Sequence, residues 1–153
     1  PLSVTKNGVV LQLAFVAKSL DIDNRKEVRP GDFVINSRSD RRGSSGLSKY
    51  SGSVSLINMV LTPEPFIHGP YVHHLLRSLA FQDEFYRFGK GIVDDLWTTD
   101  YTSMRRISLP VPPMDEQIEL ASKMDMISGD VKSLESRLQL AKKALSMGVL
   151  ELF

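Results

Sequence analysis

From Leu120 onward the chain carries an apolar or small residue at spacings that alternate between four and three: Leu120, Met124, Ile127, Val131, Leu134, Leu138, Ala141, Leu145, Gly148 and Leu152. A heptad seam sustained for more than four repeats predicts one unbroken helix, and it requires a second helix against which the seam is buried. No proline lies within it. At 1.5 Å per residue, residues 114–153 extend roughly 55 to 60 Å, too far to be covered by a head of 113 residues. Gly129 falls off the seam and costs about 1 kcal/mol of helix stability, whereas Gly148 lies on it and permits fraying or close packing near the end.

The stretch Leu109 to Gln117, LPVPPMDEQ, separates this helix from what precedes it. Pro110, Pro112 and Pro113 stop a preceding strand and keep the helix from starting early, because proline lacks an N–H and clashes with a preceding helical turn. Asp115 and Glu116 then fall in the first turn, where negative charge suits the helix dipole. The stretch reads as a rigid joint between a globular domain and a rod.

Residues 1–113 read as mixed α and β, so the fold class is α+β with a long coiled-coil helix. VVLQLAFVA predicts one or two short strands, and EVRPGDFVINSR a turn feeding the buried strand Phe33-Val34-Ile35. SRSDRRGSSGLSKYSGS, rich in Gly and Ser, reads as a loop, and VSLINMVLTP as one strand ended by Pro63. YVHHLLRSLAFQDEFYRF has helical spacing and predicts a single amphipathic helix of about 15 to 18 residues, with Val72, Leu75, Leu76 and Leu79 on one face and Phe81, Phe85 and Phe88 continuing it. GKGIVDDLW reads as a glycine-opened loop or short strand, TTDYTSMRR as a helical turn capped by Thr98 or Thr99, and ISLPVP as a strand.

Charge divides at the prolines. Residues 1–113 hold 14 Lys and Arg against 11 Asp and Glu, whereas residues 114–153 hold 5 against 7. Seven of those cations, Arg25, Lys26, Arg29, Arg38, Arg41, Arg42 and Lys49, lie between Arg25 and Tyr50 with only Glu27, Asp32 and Asp40, which predicts a basic surface there. The chain has no cysteine, so disulfides and thiolate-ligated metals are excluded. No apolar run approaches the roughly 18 to 20 residues of a membrane span, and no signal-peptide layout opens the chain, so a cytoplasmic setting is the default. The strand-like start at Pro1 suggests an N-terminally incomplete fragment.

A strand ending in L-P-x-P-P, then x-x-E-Q and a heptad helix, resembles the specificity subunit of type I restriction-modification enzymes where a target recognition domain meets its spacer helix. Leu109, Pro110, Pro112, Pro113, Glu116 and Gln117 carry that resemblance, with looser support from RPGDFVINSR and from GKGIVDDLWTTDYTSMRRISLPVPP. It covers the chain from about Val28 onward, although such subunits usually carry two recognition domains and two helices. The resemblance implies a non-catalytic reader of double-stranded DNA without a cofactor. Each recognition domain binds one half of a split site, paired helices fix the distance between halves, and separate methyltransferase and restriction subunits methylate adenine and cleave DNA. Residues 1–113 are then the recognition domain and residues 114–153 the spacer and dimerisation helix.

The candidate DNA contacts are Arg38, Arg41, Arg42, Ser44, Ser45, Lys49 and Tyr50 in the Gly/Ser loop, with Lys90, Arg105 and Arg106 beyond it. Arginine forks suit guanine edges and phosphates, and hydroxyls and exposed amides suit phosphates. Leu120, Met124, Ile127, Val131, Leu134, Leu138 and Leu145 are the candidate dimerisation residues, through which a chain with one helix pairs with a second copy. Catalytic and metal sites are not expected. His73 and His74 diverge on a helix, and Gly89-Lys90-Gly91 matches neither nucleotide-binding glycine pattern. Asp94-Asp95 reads as a turn and Trp97 as core. Val111-Pro112-Pro113-Met114 lacks the polar and aromatic groups by which amino-methyltransferases hold a flipped base. The competing reading is a coiled-coil adaptor whose head binds protein.

Overall fold

The computed structural model describes residues 1–11, 25–93 and 96–150. Its α+β architecture matches the expected class. Among the described residues, nine strands form four small antiparallel sheets: β1 (Leu2–Thr5) with β2 (Gly8–Leu11), β3 (Arg25–Val28) with β6 (Gly52–Ser55), β4 (Phe33–Asn36) between β5 (Ser45–Leu47) and β7 (Asn58–Leu61), and β8 (Lys90–Val93) with β9 (Leu96–Thr98). The helices are α1 (Gly69–Leu75), α2 (Leu79–Arg87), α3 (Tyr101–Met104) and α4 (Met114–Leu150). No helix among the described residues is long and apolar enough to cross a membrane.

Strand β4 organises the core because its alternate side chains serve two layers. Phe33 and Ile35 join Met59, Leu76, Phe81, Phe85 and Tyr86 on the helical side. Val34 joins Leu2, Val9, Val28 and Val54 on the other, under the β1–β2 and β3–β6 ribbons. The turn before β4 is fixed by Asp32, whose carboxylate accepts from the Arg29 N–H at 2.7 Å and from the Thr62 hydroxyl at 2.7 Å. Gly31 occupies the positive φ of 94° that this turn needs.

Several sequence expectations are corrected. The expected single helix over 71–88 is two, because Ser78 takes an extended conformation and its hydroxyl accepts from the Phe81 N–H, capping α2. Leu79, assigned to the buried face, is 75% exposed in consequence. VSLINMVLTP is two strands, β6 and β7, which pair with β3 and β4 respectively, with Leu56 and Ile57 exposed at the turn between them and the Asn58 side-chain amide donating to the Ser55 carbonyl. The Gly/Ser stretch is not only loop: a 3-10 turn at Ser39–Arg41 leads into β5, which pairs with β4. Asp100, rather than Thr98 or Thr99, caps α3, accepting from the Ser103 N–H at 2.6 Å; Thr99 is buried and donates to the Phe85 carbonyl. ISLPVP forms no strand, since its prolines cannot donate to a ladder; Ile107 and Leu109 instead pack on the helical side of the core. The strand reading of VVLQLAFVA beyond Leu11, the Asp94-Asp95 turn, the Trp97 side chain and the seam beyond Met147 lie outside the described residues.

Candidate nucleic-acid interface

Of the seven cations between Arg25 and Tyr50, two are committed to the fold: Arg25 donates to Ser53, and Lys26 donates to the Asn58 carbonyl at 2.7 Å. Arg29 forms an exposed ion pair with Glu27. The other four divide between the two ends of β5.

At its N-terminal end, the 3-10 turn presents Arg38, Arg41 and Arg42. Arg38 forks onto Asp40 through two hydrogen bonds of 2.9 Å, and Arg41 approaches the same carboxylate at 3.7 Å. Arg42 pairs with Asp83 on α2 and lies 5.7 Å from the centre of the Tyr86 ring. Burial pushes the Tyr86 phenol up to about 12, which outweighs the opposing pull of Arg42. The ring therefore stays neutral, its O–H donating to the Asn36 carbonyl at 3.0 Å. These ion pairs are substantially exposed, and such pairs are worth about 0 to 1 kcal/mol, weak enough to be exchanged for a phosphate while still orienting the side chains.

Strand pairing brings a distant cation to the same place. Arg38 bridges Thr98, and Thr98 is the register partner of Lys90 in the β8–β9 hairpin. With about 4.8 Å between neighbouring strands, the Arg38 and Lys90 backbones lie about 10 Å apart on either side of β9. Among the described residues, Lys90 pairs with Asp100 at 3.9 Å. Arg106 extends the surface, since it stacks on the Phe88 ring at 4.9 Å and Arg87 stacks on the same ring at 5.3 Å. Arg105 is exposed beside it. Arg87 was not singled out from the sequence because it sits inside an apolar helical pattern, and Phe88, expected on the core face, is instead enclosed by two guanidinium groups.

Ser44 and Ser45 are buried where β5 packs under the β1–β2 hairpin, and Ser44 lines a cleft with Asp40 and Arg41. Lys49 and Tyr50 follow β5 and line a cleft with Pro70, His73, Asp125 and Lys132, against α4. Two cationic residues missed by sequence inspection lie on the arginine side: Lys6, in the β1–β2 turn, and Arg77, which donates to the Ser45 carbonyl at 2.9 Å and to the Lys6 carbonyl at 2.5 Å. Only folding, not sequence spacing, places these beside Arg42.

Helix α4 leaves the head with its seam open. Leu120 is half-buried, Met124 is 37% exposed, and Ile127, Val131, Leu134, Leu138 and Leu145 are between 47% and 71% exposed. The face that meets the head is a different one, formed by Gln117, Ala121 and Asp125.

No protein-family model matches the chain. Two curated proteins do, each over 132 residues and 83% of this chain. The type I restriction enzyme EcoKI specificity subunit of Escherichia coli K12 is 26% identical, and the StySPI specificity subunit of Salmonella potsdam is 27% identical. The matched stretch spans 28% of the length of either relative. The resemblance first visible in LPVPPMDEQ and its helix thus extends through most of the chain, which is similar to part of a type I restriction enzyme specificity subunit.

Proposed function

We propose that this chain is a DNA-reading unit of a type I restriction-modification system. Residues 1–113 act as a target recognition domain for one half of a split double-stranded site, and residues 114–153 as the spacer helix. The unit is non-catalytic and cytoplasmic, and it addresses separate methyltransferase and restriction subunits to the site. The observation that carries this reading is the similarity to two specificity subunits over 83% of the chain. The convergence of Arg38, Arg42, Lys90, Arg87 and Arg106 from three separate parts of the sequence supports their surface as the reading face, with Arg41 at its edge.

Selection from a random duplex pool, followed by anisotropy titrations at several salt concentrations, tests the proposal. Each phosphate-contacting cation replaced by alanine lowers the salt slope by about 0.9 and weakens all duplexes alike. A base-reading arginine costs about 1 to 3 kcal/mol on the selected site alone. Parent-like affinity and salt slope in the combined Arg38→Ala, Arg42→Ala and Lys90→Ala variant would remove this face as the reading surface.

A further inference from the structure

The buried face of α4 is held by a polar side chain whose bonding capacity is almost fully used. Gln117 is 1% exposed, and its amide oxygen accepts from the His68 N–H at 2.8 Å. Its amide nitrogen donates to the Phe66 carbonyl at 3.1 Å and to the Pro112 carbonyl at 2.8 Å. One side chain on the first turn of α4 thereby ties together the chain entering α1 and the proline run entering α4. Ala121, 2% exposed, is small enough to let α1 close on the helix one turn further along. One more turn along, Asp125 meets His74, from the last turn of α1, at 2.7 Å. The α1 helix is itself fastened to the head, since the Tyr71 O–H donates to the Pro110 carbonyl at 2.9 Å and the Leu47 N–H donates to His73 Nδ1 at 3.1 Å.

We infer that Gln117, assisted by the His74–Asp125 pair, is a positioning residue that sets the direction in which α4 leaves the head and, on the function proposed above, the distance between the two DNA half-sites. A single attachment is a pivot. Two attachments eight residues apart, about 12 Å along the axis, fix a direction. The lever is long, because the helix beyond Asp125 runs on for about 37 Å, so a tilt of about 10° moves its end by about 6 Å, close to two base-pair rises. The face used for this purpose is about a quarter-turn from the seam, at 3.6 residues per turn, so fixing the direction leaves the seam available to a partner helix.

The absence of cysteine permits a direct measurement. Spin labels at Leu56→Cys, in the exposed β6–β7 turn, and at Lys142→Cys, on exposed α4, report the angle between head and helix, with unlabelled chain added so that only distances within one chain contribute. The parent should give one narrow distance distribution. Gln117→Glu keeps the acceptor for His68 but sets a carboxylate against two carbonyls, and it should broaden or shift the distribution while circular dichroism stays native. An unchanged narrow distribution in a folded Gln117→Glu protein overturns the inference. Should that variant not fold, His74→Ala with Asp125→Ala decides instead: broadening supports the inference and an unchanged distance overturns it. A second arm measures binding to split duplexes of graded spacer length, where the variants should accept several spacers that the parent rejects, at unchanged affinity for an isolated half-site. A parent that binds no duplex overturns the proposed function, and the spin-label arm still decides the joint.

Discussion

A methyl group on Gly46 would stand 2.9 Å from the Gly8 Cα and 3.3 Å from the Val9 nitrogen, so β5 and β2 touch backbone to backbone. Neither contact is with a flexible side-chain end, and relief requires a strand to move. Gly46→Ala should therefore destabilise the head by about 1 to 3 kcal/mol, the usual range for overpacking, seen as a lower urea midpoint at unchanged slope. Because the same contact seats Lys6 near Arg42, the variant should also weaken DNA binding at temperatures where it remains folded. The Gly/Ser composition of this stretch reads as a loop. At Gly46 the glycine instead permits close packing, a distinction invisible until the neighbouring strand is known.

Among the elements, α1 is fastened through a ring whose protonation matters. Burial, followed by the neighbouring Arg77 and His74 charges, depresses His73 to about 4, against a smaller opposing pull from Asp125. Its Nδ1 accepts from the Leu47 N–H and must be unprotonated to do so. The unfolded chain binds this proton near pH 6.5 and the folded chain only near 4, so the stability is complete above pH 6.5 and is lost as pH falls toward 4. For a half-buried ring the loss is about 1 to 2 kcal/mol once solvent screening is allowed for. Thermal melts between pH 7.5 and 4.5 should show it, and His73→Gln should flatten the difference; an equal acid loss in that variant would place the cause elsewhere. The sequence made α4 and its proline joint legible because periodicity and prolines act locally. The α1–α2 break was not, since a capping serine inside an apolar pattern looks like one more helical residue. The basic face was half legible: Arg38 and Arg42 stood out by charge density, but their proximity to Lys90 and Arg106 is created by β9 pairing and by the Phe88 ring.

At the scale of the whole molecule, the open seam decides assembly. Ile127, Val131, Leu134, Leu138 and Leu145 stand on a helix that projects beyond the head, and burying each is worth roughly 1.5 to 3 kcal/mol. Two copies bury ten such side chains, enough to outweigh an association cost of about 4 to 15 kcal/mol. A two-fold antiparallel pairing would satisfy both seams at once and carry the heads to opposite ends of the rod, and on the function proposed above such a dimer would address an inverted, split DNA site. Multi-angle light scattering at tens of micromolar should give twice the monomer mass. Val131→Asp with Leu138→Asp should restore the monomer, because each pairing would then bury unpaired carboxylates. Leu138 lies beyond the last contact between α4 and the head, at Asp125 and Lys132 in the cleft, and Val131 and Leu138 both sit about a quarter-turn round the helix from the face that meets the head. The aspartate variant should therefore keep the head's melting transition and its affinity for an isolated half-site while losing the two-site affinity. A parent chain that stays monomeric under these conditions would instead leave the seam for a helix from another segment of a longer subunit or for a methyltransferase partner.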